Sequence, residues 1–152
     1  MCQNLWPDEL KILVIDTDQE ALNMIRYSLE PAGFRVIRTH KPQEGLELAR
    51  REQPDLLLLD VTMPEYDGFE LLRYIRRAPP LELIPTIVVS TRAKTVDQQR
   101  ILQLCLPDQE EIDAFVGKPV DPAQLLKTVK TVLTNHKQQL LHKKQQWQKM
   151  AA

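Results

Sequence analysis

Four consecutive leucines, Leu56 to Leu59, constrain the fold more than any other feature of the sequence, and Asp60 follows them directly. A short run that is apolar at every position is typical of a strand buried on both faces, as in a parallel sheet covered by helices. A carboxylate inside such a core would be costly. We therefore expect the strand to deliver Asp60 to the crevice at the carboxyl edge of the sheet, where open α/β folds bind ligands.

The rest of the chain alternates short apolar runs with helical patterns. Strands are predicted at 11–15, 34–39, 56–59, 84–89 and 112–116, and helices at 18–31, 42–52, 69–77, from about 94 and from about 121. Five β–α units in series predict a doubly wound α/β fold with a five-stranded parallel sheet. We expect three parts: an N-terminal lead (1–9), one domain (10–134) and a helical C-terminal extension (135–152).

Composition excludes several classes of protein. The chain has 152 residues, of which 43% are hydrophobic and 27% charged, and a formal net charge of −1, so its overall charge does not favour nucleic acid or an anionic membrane as a partner. No apolar run approaches the ~20 residues of a membrane span, and the first residues lack a signal-peptide pattern. Cys2 and Cys105 have no metal-site spacing. We expect a cytoplasmic protein that binds neither nucleic acid nor membrane.

Polar residues follow four of the predicted strands. They are Asp16-Thr17-Asp18 after the first, Asp60 after the third, Ser90-Thr91 after the fourth and Gly117-Lys118-Pro119 after the fifth. The carboxyl ends of parallel strands meet at one edge, so carboxylates, hydroxyls and one ammonium should converge there. Carboxylates suit Mg²⁺, lysine and hydroxyl groups suit a phosphoryl oxyanion, and a carboxylate such as Asp60 can act as a nucleophile that forms an acyl phosphate.

The segment Leu56 to Leu72, LLLLDVTMPEYDGFELL, resembles the third-strand motif of response regulator receiver domains, the phosphoacceptor modules of two-component signalling. An acidic end of strand one, Ser90, Phe115 and Lys118-Pro119 stand in the order that the family has. The resemblance covers roughly residues 10–134 and implies the flavodoxin-like (βα)5 receiver fold.

The resemblance also implies roles for the strand-end residues. Asp60 would accept a phosphoryl group from a histidine kinase or a phosphotransfer protein. Asp16, Asp60 and the backbone carbonyl of Thr62 would hold Mg²⁺. The domain would be a signalling module with possible autophosphatase activity, not a dedicated enzyme.

The family's switch residues have counterparts in this sequence. Lys118 would pair with the phosphoryl group, Ser90 would move to hydrogen-bond it, and Phe115 would follow by changing rotamer. A cis bond before Pro119 is expected. The face formed by the fourth helix, fifth strand and fifth helix would repack and change its contacts with a separate downstream protein, because no output domain is recognisable in the sequence.

Three features depart from the family pattern. The second of two adjacent acids is replaced by Thr17, which should weaken Mg²⁺ binding; Asp18 either replaces that ligand or caps the first helix. Thr91 is larger than the residue the family prefers and could narrow access to Asp60. The extra segment Leu106 to Glu111 before the fifth strand is either adapted to a partner or a neutral loop insertion.

The end of the chain leaves two interpretations open. Leu126, Leu133, Leu140 and Trp147 recur every seven residues, which suggests a seam for a partner helix or a homodimer. A solvated helix end is the alternative, since the companion positions become polar after residue 135.

Two other functions remain open. A pseudo-receiver would keep the fold and bind partners without phosphorylation, which Thr17 favours and Asp60, Ser90 and Lys118 oppose. Asp16-Thr17-Asp18 also fits the Asp-x-Asp fragment of phosphatases that resemble the haloacid dehalogenase superfamily, although the residues after it do not continue that motif.

Overall fold

The protein, seen in a computed structural model, is built around one parallel sheet. The structure describes residues 10–104 and 112–151, except for the side chains of residues 139–144 and 147. The strands are β1 (Lys11–Ile15), β2 (Arg35–Thr39), β3 (Leu56–Leu59), β4 (Thr86–Ser90) and β5 (Ala114–Gly117). They pair in the order β2-β1-β3-β4-β5 and all four pairings are parallel, which confirms the predicted five-stranded, doubly wound fold.

Five helices cover the two faces of the sheet. They are α1 (Gln19–Leu29), α2 (Pro42–Glu52), α3 (Gly68–Arg76), α4 (Val96–Leu104) and α5 (Pro122–Ala151). Alternate leucines of β3 point to opposite faces: Leu56 and Leu58 pack with residues of α1 and α5, whereas Leu57 and Leu59 pack with residues of α2, α3 and α4. The leucine run is therefore apolar at every position because both of its faces are buried.

The predicted boundaries of β4 were wrong by two residues at its start. The N–H of Ile84 donates to the carbonyl of Leu81 and closes a turn, and Pro85 has no N–H to give to a strand ladder. The strand therefore begins at Thr86 and continues through Ser90, so that Ser90 is its last residue.

Helix α4 begins later than predicted because Thr95 is its cap. The Thr95 hydroxyl accepts the N–H of Gln98, while the Gln98 side chain accepts the N–H groups of Thr95 and Lys94. This reciprocal arrangement is a capping box, and its Thr-x-x-Gln signature can be read in the sequence. The fifth strand also starts later than predicted, at Ala114, where the Asp113 carboxylate accepts the N–H of Thr86.

The long C-terminal helix is confirmed, and its first half belongs to the domain core. Val129 and Leu133 are buried, and Leu126 packs against the same cluster, so half of the predicted heptad seam is already used within the domain. The side chains of Leu140 and Trp147, the segment Leu106 to Glu111, Cys2 and Cys105 lie outside the described part of the chain.

Within the described ranges, none of the helices combines the length and the apolar character that crossing a bilayer requires.

Candidate functional site

The end of β3 places Asp60 at the carboxyl edge of the sheet. Its N–H donates to the carbonyl of Ile15 at 3.0 Å, and the residue is only 6% exposed. Helix α3 begins close beside it, because Gly68 has no side chain: a Cβ there would lie 2.5 Å from Val61 Cα and 2.8 Å from the Asp60 carbonyl oxygen. Asp67 caps this helix by accepting the N–H of Phe69.

The end of β1 supplies a second buried carboxylate. Asp16 is 1% exposed, and its Oδ1 accepts the N–H of Asp18 at 2.9 Å. Asp18 is exposed, and its own carboxylate accepts the N–H of Glu20 at 3.0 Å as the cap of α1. The sequence left open whether Asp18 binds the cation or caps α1, and in the structure it caps α1. Thr17, at the position of the missing acid, is exposed.

Lys118 joins the two carboxylates. Its Nζ lies 2.6 Å from Asp16 Oδ2 as an ion pair and donates a hydrogen bond of 3.0 Å to Asp60 Oδ2. The side chain comes from the residue after β5, its backbone N–H donates to the carbonyl of Ser90, and the bond to Pro119 is cis, as predicted. Three of the four strand ends singled out in the sequence, those of β1, β3 and β5, thus meet at one buried ammonium.

Burial and charge act against each other at this centre. Burial raises the pKa of Asp16 to about 6, although Lys118 and the N–H of Asp18 pull it down and the charge of Asp60 adds to the rise. For Lys118, burial alone would lower the pKa, but Asp16 and Asp60 outweigh it and the pKa lies above its ordinary value. The ammonium therefore stays charged at neutral pH.

Two hydroxyl groups connect Asp60 with β4. Ser90 is fully buried, and its Oγ lies 3.0 Å from the Oγ1 of Thr62. Thr62 donates to Asp60 Oδ1 from its N–H at 2.8 Å and from its hydroxyl at 3.0 Å, while the N–H of Arg92 donates to Ser90 Oγ at 3.0 Å. The sequence prediction used only the backbone carbonyl of Thr62 and missed its side chain. The sequence signal for these side-chain contacts was a hydroxyl-bearing residue two positions after the strand-end aspartate.

The other predicted residues lie around this network. Phe115 is partly buried and packs against the core cluster that contains Leu57 and Leu59. Thr91 is exposed.

The acidic residues fit a hard cation that retains water. Among the described residues, no group of three or more His, Cys, Asp or Glu could hold a metal ion. Mg²⁺, however, often needs only one or two carboxylates because it keeps several waters. Asp16 and Asp60 both lie against Lys118, and a carboxylate oxygen that accepts one ammonium hydrogen keeps a second lone pair for a cation.

Asp16→Asn is expected to stabilise the fold at neutral pH. Because the folded state raises the pKa of Asp16 from 3.8 to about 6, this carboxyl favours folding when it is protonated, and that contribution is lost as the pH rises from about 4 to 6. Asparagine carries no charge to bury, and Lys118 keeps Asp60 as its counter-ion. The free energy of unfolding in the presence of a chelator should exceed that of the wild type by about 1–3 kcal/mol at pH 7.5.

The gain should shrink towards zero by pH 4. The exposed Asp18→Asn, which preserves a capping side chain, serves as the control and should show no comparable pH-dependent gain. An Asp16→Asn variant that is less stable than the wild type at pH 7.5 would contradict the assignment.

Comparison with known proteins agrees with this geometry. The model of the response regulator receiver domain matches residues 12–130. An uncharacterised 14.6 kDa protein of Leptolyngbya boryana is 37% identical over 121 residues, which are 80% of this chain and 88% of that protein. The polar-differentiation response regulator DivK of Brucella anthropi is 30% identical over 122 residues, 80% of this chain and 94% of its own length.

Solved structures extend the likeness to three dimensions. A CheY-like response regulator receiver domain protein from Methanospirillum hungatei superimposes with a TM-score of 0.73 at 27% identity, over 87% of this chain and 99% of that one. With the family model covering most of the chain, and with an aspartate, a lysine and a serine at the ends of β3, β5 and β4, the protein belongs to the response regulator receiver domains of two-component systems.

Proposed function

We propose that the protein is a phosphoacceptor: Asp60 receives a phosphoryl group from a histidine kinase or a phosphotransfer protein. The observation that carries the proposal is the contact of a strand-end carboxylate with a buried, charged Lys118 at 3.0 Å. A carboxylate with a purely structural role would need only a counter-ion such as this lysine, and Asp60 has more around it. Asp60 also lies at the edge of the sheet where ligands of this fold bind, two hydrogen bonds away from the serine that ends β4.

For the transfer, the protein has to hold the Asp60 carboxylate in position and to offset the added negative charge. An oxygen of Asp60 bonds to phosphorus while the bond from phosphorus to the donor atom breaks, and the electron pair of that bond leaves with the donor. The product is an acyl phosphate with more negative charge than the carboxylate had. Lys118 offsets this added charge, and its raised pKa keeps it protonated.

Mg²⁺ is the cation that we propose for Asp16, Asp60 and the backbone carbonyl of Thr62, where it would neutralise the charge of the incoming phosphoryl oxygens. Asp18 is not part of the proposed set, because its carboxylate is engaged in capping α1. Thr17 leaves the site one negative charge short of the usual pair.

Signalling would proceed through the surface made by α4, β5 and α5. Val96, Ile101 and Leu104 of α4 are apolar and exposed, Leu104 by 85%, and Phe115 of β5 is only partly buried. Movement of Ser90 towards the phosphoryl group would repack this region and change its affinity for a separate downstream protein or for a second copy of the chain. The proposal places the protein in the cytoplasm, where kinases of this class obtain ATP.

Incubation with a small acyl phosphate and Mg²⁺ tests the acceptor. Intact-protein mass spectrometry should show the gain of one phosphoryl group in the wild type and none in Asp60→Asn. Asp67→Asn is the matched control: it changes an acid in the same loop, preserves an N-cap and should be labelled like the wild type.

A folded wild type that gains no phosphoryl group under conditions that label another receiver would contradict the proposal. That result would support the alternative, a pseudo-receiver that binds its partner independently of phosphorylation. Steady turnover of free phosphate esters would instead support a phosphatase.

Thr17→Asp is expected to tighten Mg²⁺ binding by about tenfold, since affinity for hard cations follows the charge of the ligand set. Isothermal titration calorimetry measures the dissociation constant directly. Thr134→Asp adds the same charge to the exposed surface of α5 and should leave the constant near the wild-type value. Unchanged or weaker binding in Thr17→Asp would show that this position does not face the cation.

A further inference from the structure

A chain of three hydrogen bonds connects four residues, and the donor of each bond can be assigned. The residues are Asp60, Thr62, Ser90 and Arg92. A carboxylate only accepts hydrogen bonds, so the hydroxyl of Thr62 must donate its single hydrogen to Asp60 Oδ1. The hydrogen in the 3.0 Å contact between Thr62 and Ser90 then comes from Ser90. The Ser90 oxygen in turn accepts the N–H of Arg92.

This chain links the acceptor to the segment between β4 and α4. One end is the Asp60 carboxylate and the other is a backbone N–H two residues beyond the last residue of β4. Ser90 is fully buried, so water is not at hand to replace Thr62 as the acceptor of its hydrogen. A buried hydroxyl that loses its partner must rotate or stay unsatisfied, and the second option is costly.

We propose that the Thr62 hydroxyl is a positioning group that holds Ser90, and through it the N–H of Arg92, in the resting arrangement until Asp60 is phosphorylated. The contact by which Thr62 holds Ser90 belongs to the unphosphorylated protein, whereas its release on phosphorylation rests on the proposed function. Phosphoryl oxygens are stronger acceptors than a hydroxyl. For Ser90 to donate to them, it must give up Thr62, and its displaced oxygen then leaves Arg92 without its acceptor.

Removal of the Thr62 hydroxyl should therefore free the Arg92 amide without phosphorylation. Thr62→Val keeps the shape of the side chain and removes the hydroxyl, whereas Thr62→Ser restores the hydroxyl. Amide hydrogen exchange, followed residue by residue by NMR without phosphodonor, should be about fivefold faster at Arg92 in Thr62→Val, the factor that one typical hydrogen bond of about 1 kcal/mol corresponds to. Thr62→Ser should exchange like the wild type.

A purely structural role for Thr62 gives a different pattern. General loosening of the fold would accelerate the Leu58 amide in β3 as well, and this amide should not change. In Ser90→Ala the N–H of Arg92 has already lost its acceptor, so adding Thr62→Val should have no further effect on its exchange. Unchanged exchange at Arg92 in Thr62→Val, or an equal acceleration with and without Ser90, would overturn the inference.

Exchange measured on phosphorylated protein tests the release of Ser90 separately. In wild-type protein shown by mass to be phosphorylated, the Arg92 amide should exchange faster than before, and in Thr62→Val the further rise should be small. A phosphorylated wild type with unchanged Arg92 exchange would overturn the release step and leave the proposed function intact. Absence of phosphorylation would count against the proposed function, and exchange in the unphosphorylated variants would still decide whether Thr62 holds Ser90.

Discussion

The ammonium group of Lys118 is the point on which the arrangement of the site depends. It contacts Asp16 Oδ2 at 2.6 Å and Asp60 Oδ2 at 3.0 Å, and all three side chains are nearly inaccessible to solvent. Two carboxylates in the same low-dielectric region would repel each other, and each would bear a desolvation cost of several kcal/mol. One cation between them reduces both costs. The geometry of three strand ends is thereby tied to one interaction.

The same interaction keeps the site responsive to added charge. The pKa of Asp16 rises to about 6 even with Lys118 beside it, so the centre remains energetically unfavourable at neutral pH. A site that holds uncompensated negative charge favours the arrival of Mg²⁺. In the proposed function, a phosphoryl group on Asp60 would offer Ser90 a charged acceptor in place of the Thr62 hydroxyl. Under the proposed function, this local loss of stability would accompany a switch between two competing sets of contacts.

Much of this arrangement could be predicted because it follows from the topology. Parallel strands end at one edge, so residues such as Asp60 and Lys118, 58 positions apart in sequence, are brought together once the strands are recognised. The apolar character of Leu56 to Leu59 was sufficient to identify a strand buried on both faces. The capping side chain of α3 was predictable because its hydrogen bonds are local.

The features that were missed depend on side-chain geometry between elements. The Thr62–Ser90 contact requires β3 and β4 in a particular register and two rotamers that no sequence pattern specifies. The role of Asp18, which the sequence left open, is settled by its hydrogen bond from the N–H of Glu20 as the cap of α1. How far the Asp16 carboxyl is buried, which dominates its pKa, is a property of the packed domain. The start of α4 was different, because the Thr95–Gln98 capping box was present in the sequence and was overlooked.

The stability of Lys118→Met as a function of pH tests the central role of this lysine most directly. Methionine has a similar length and is apolar, so the substitution removes the charge and little of the packing. With Asp16 and Asp60 left without their cation, the free energy of unfolding at pH 7.5 should fall by roughly 3–5 kcal/mol. The loss should shrink as the pH approaches 4, because the Asp16 carboxyl is then protonated. A variant as stable as the wild type at pH 7.5 would contradict the account.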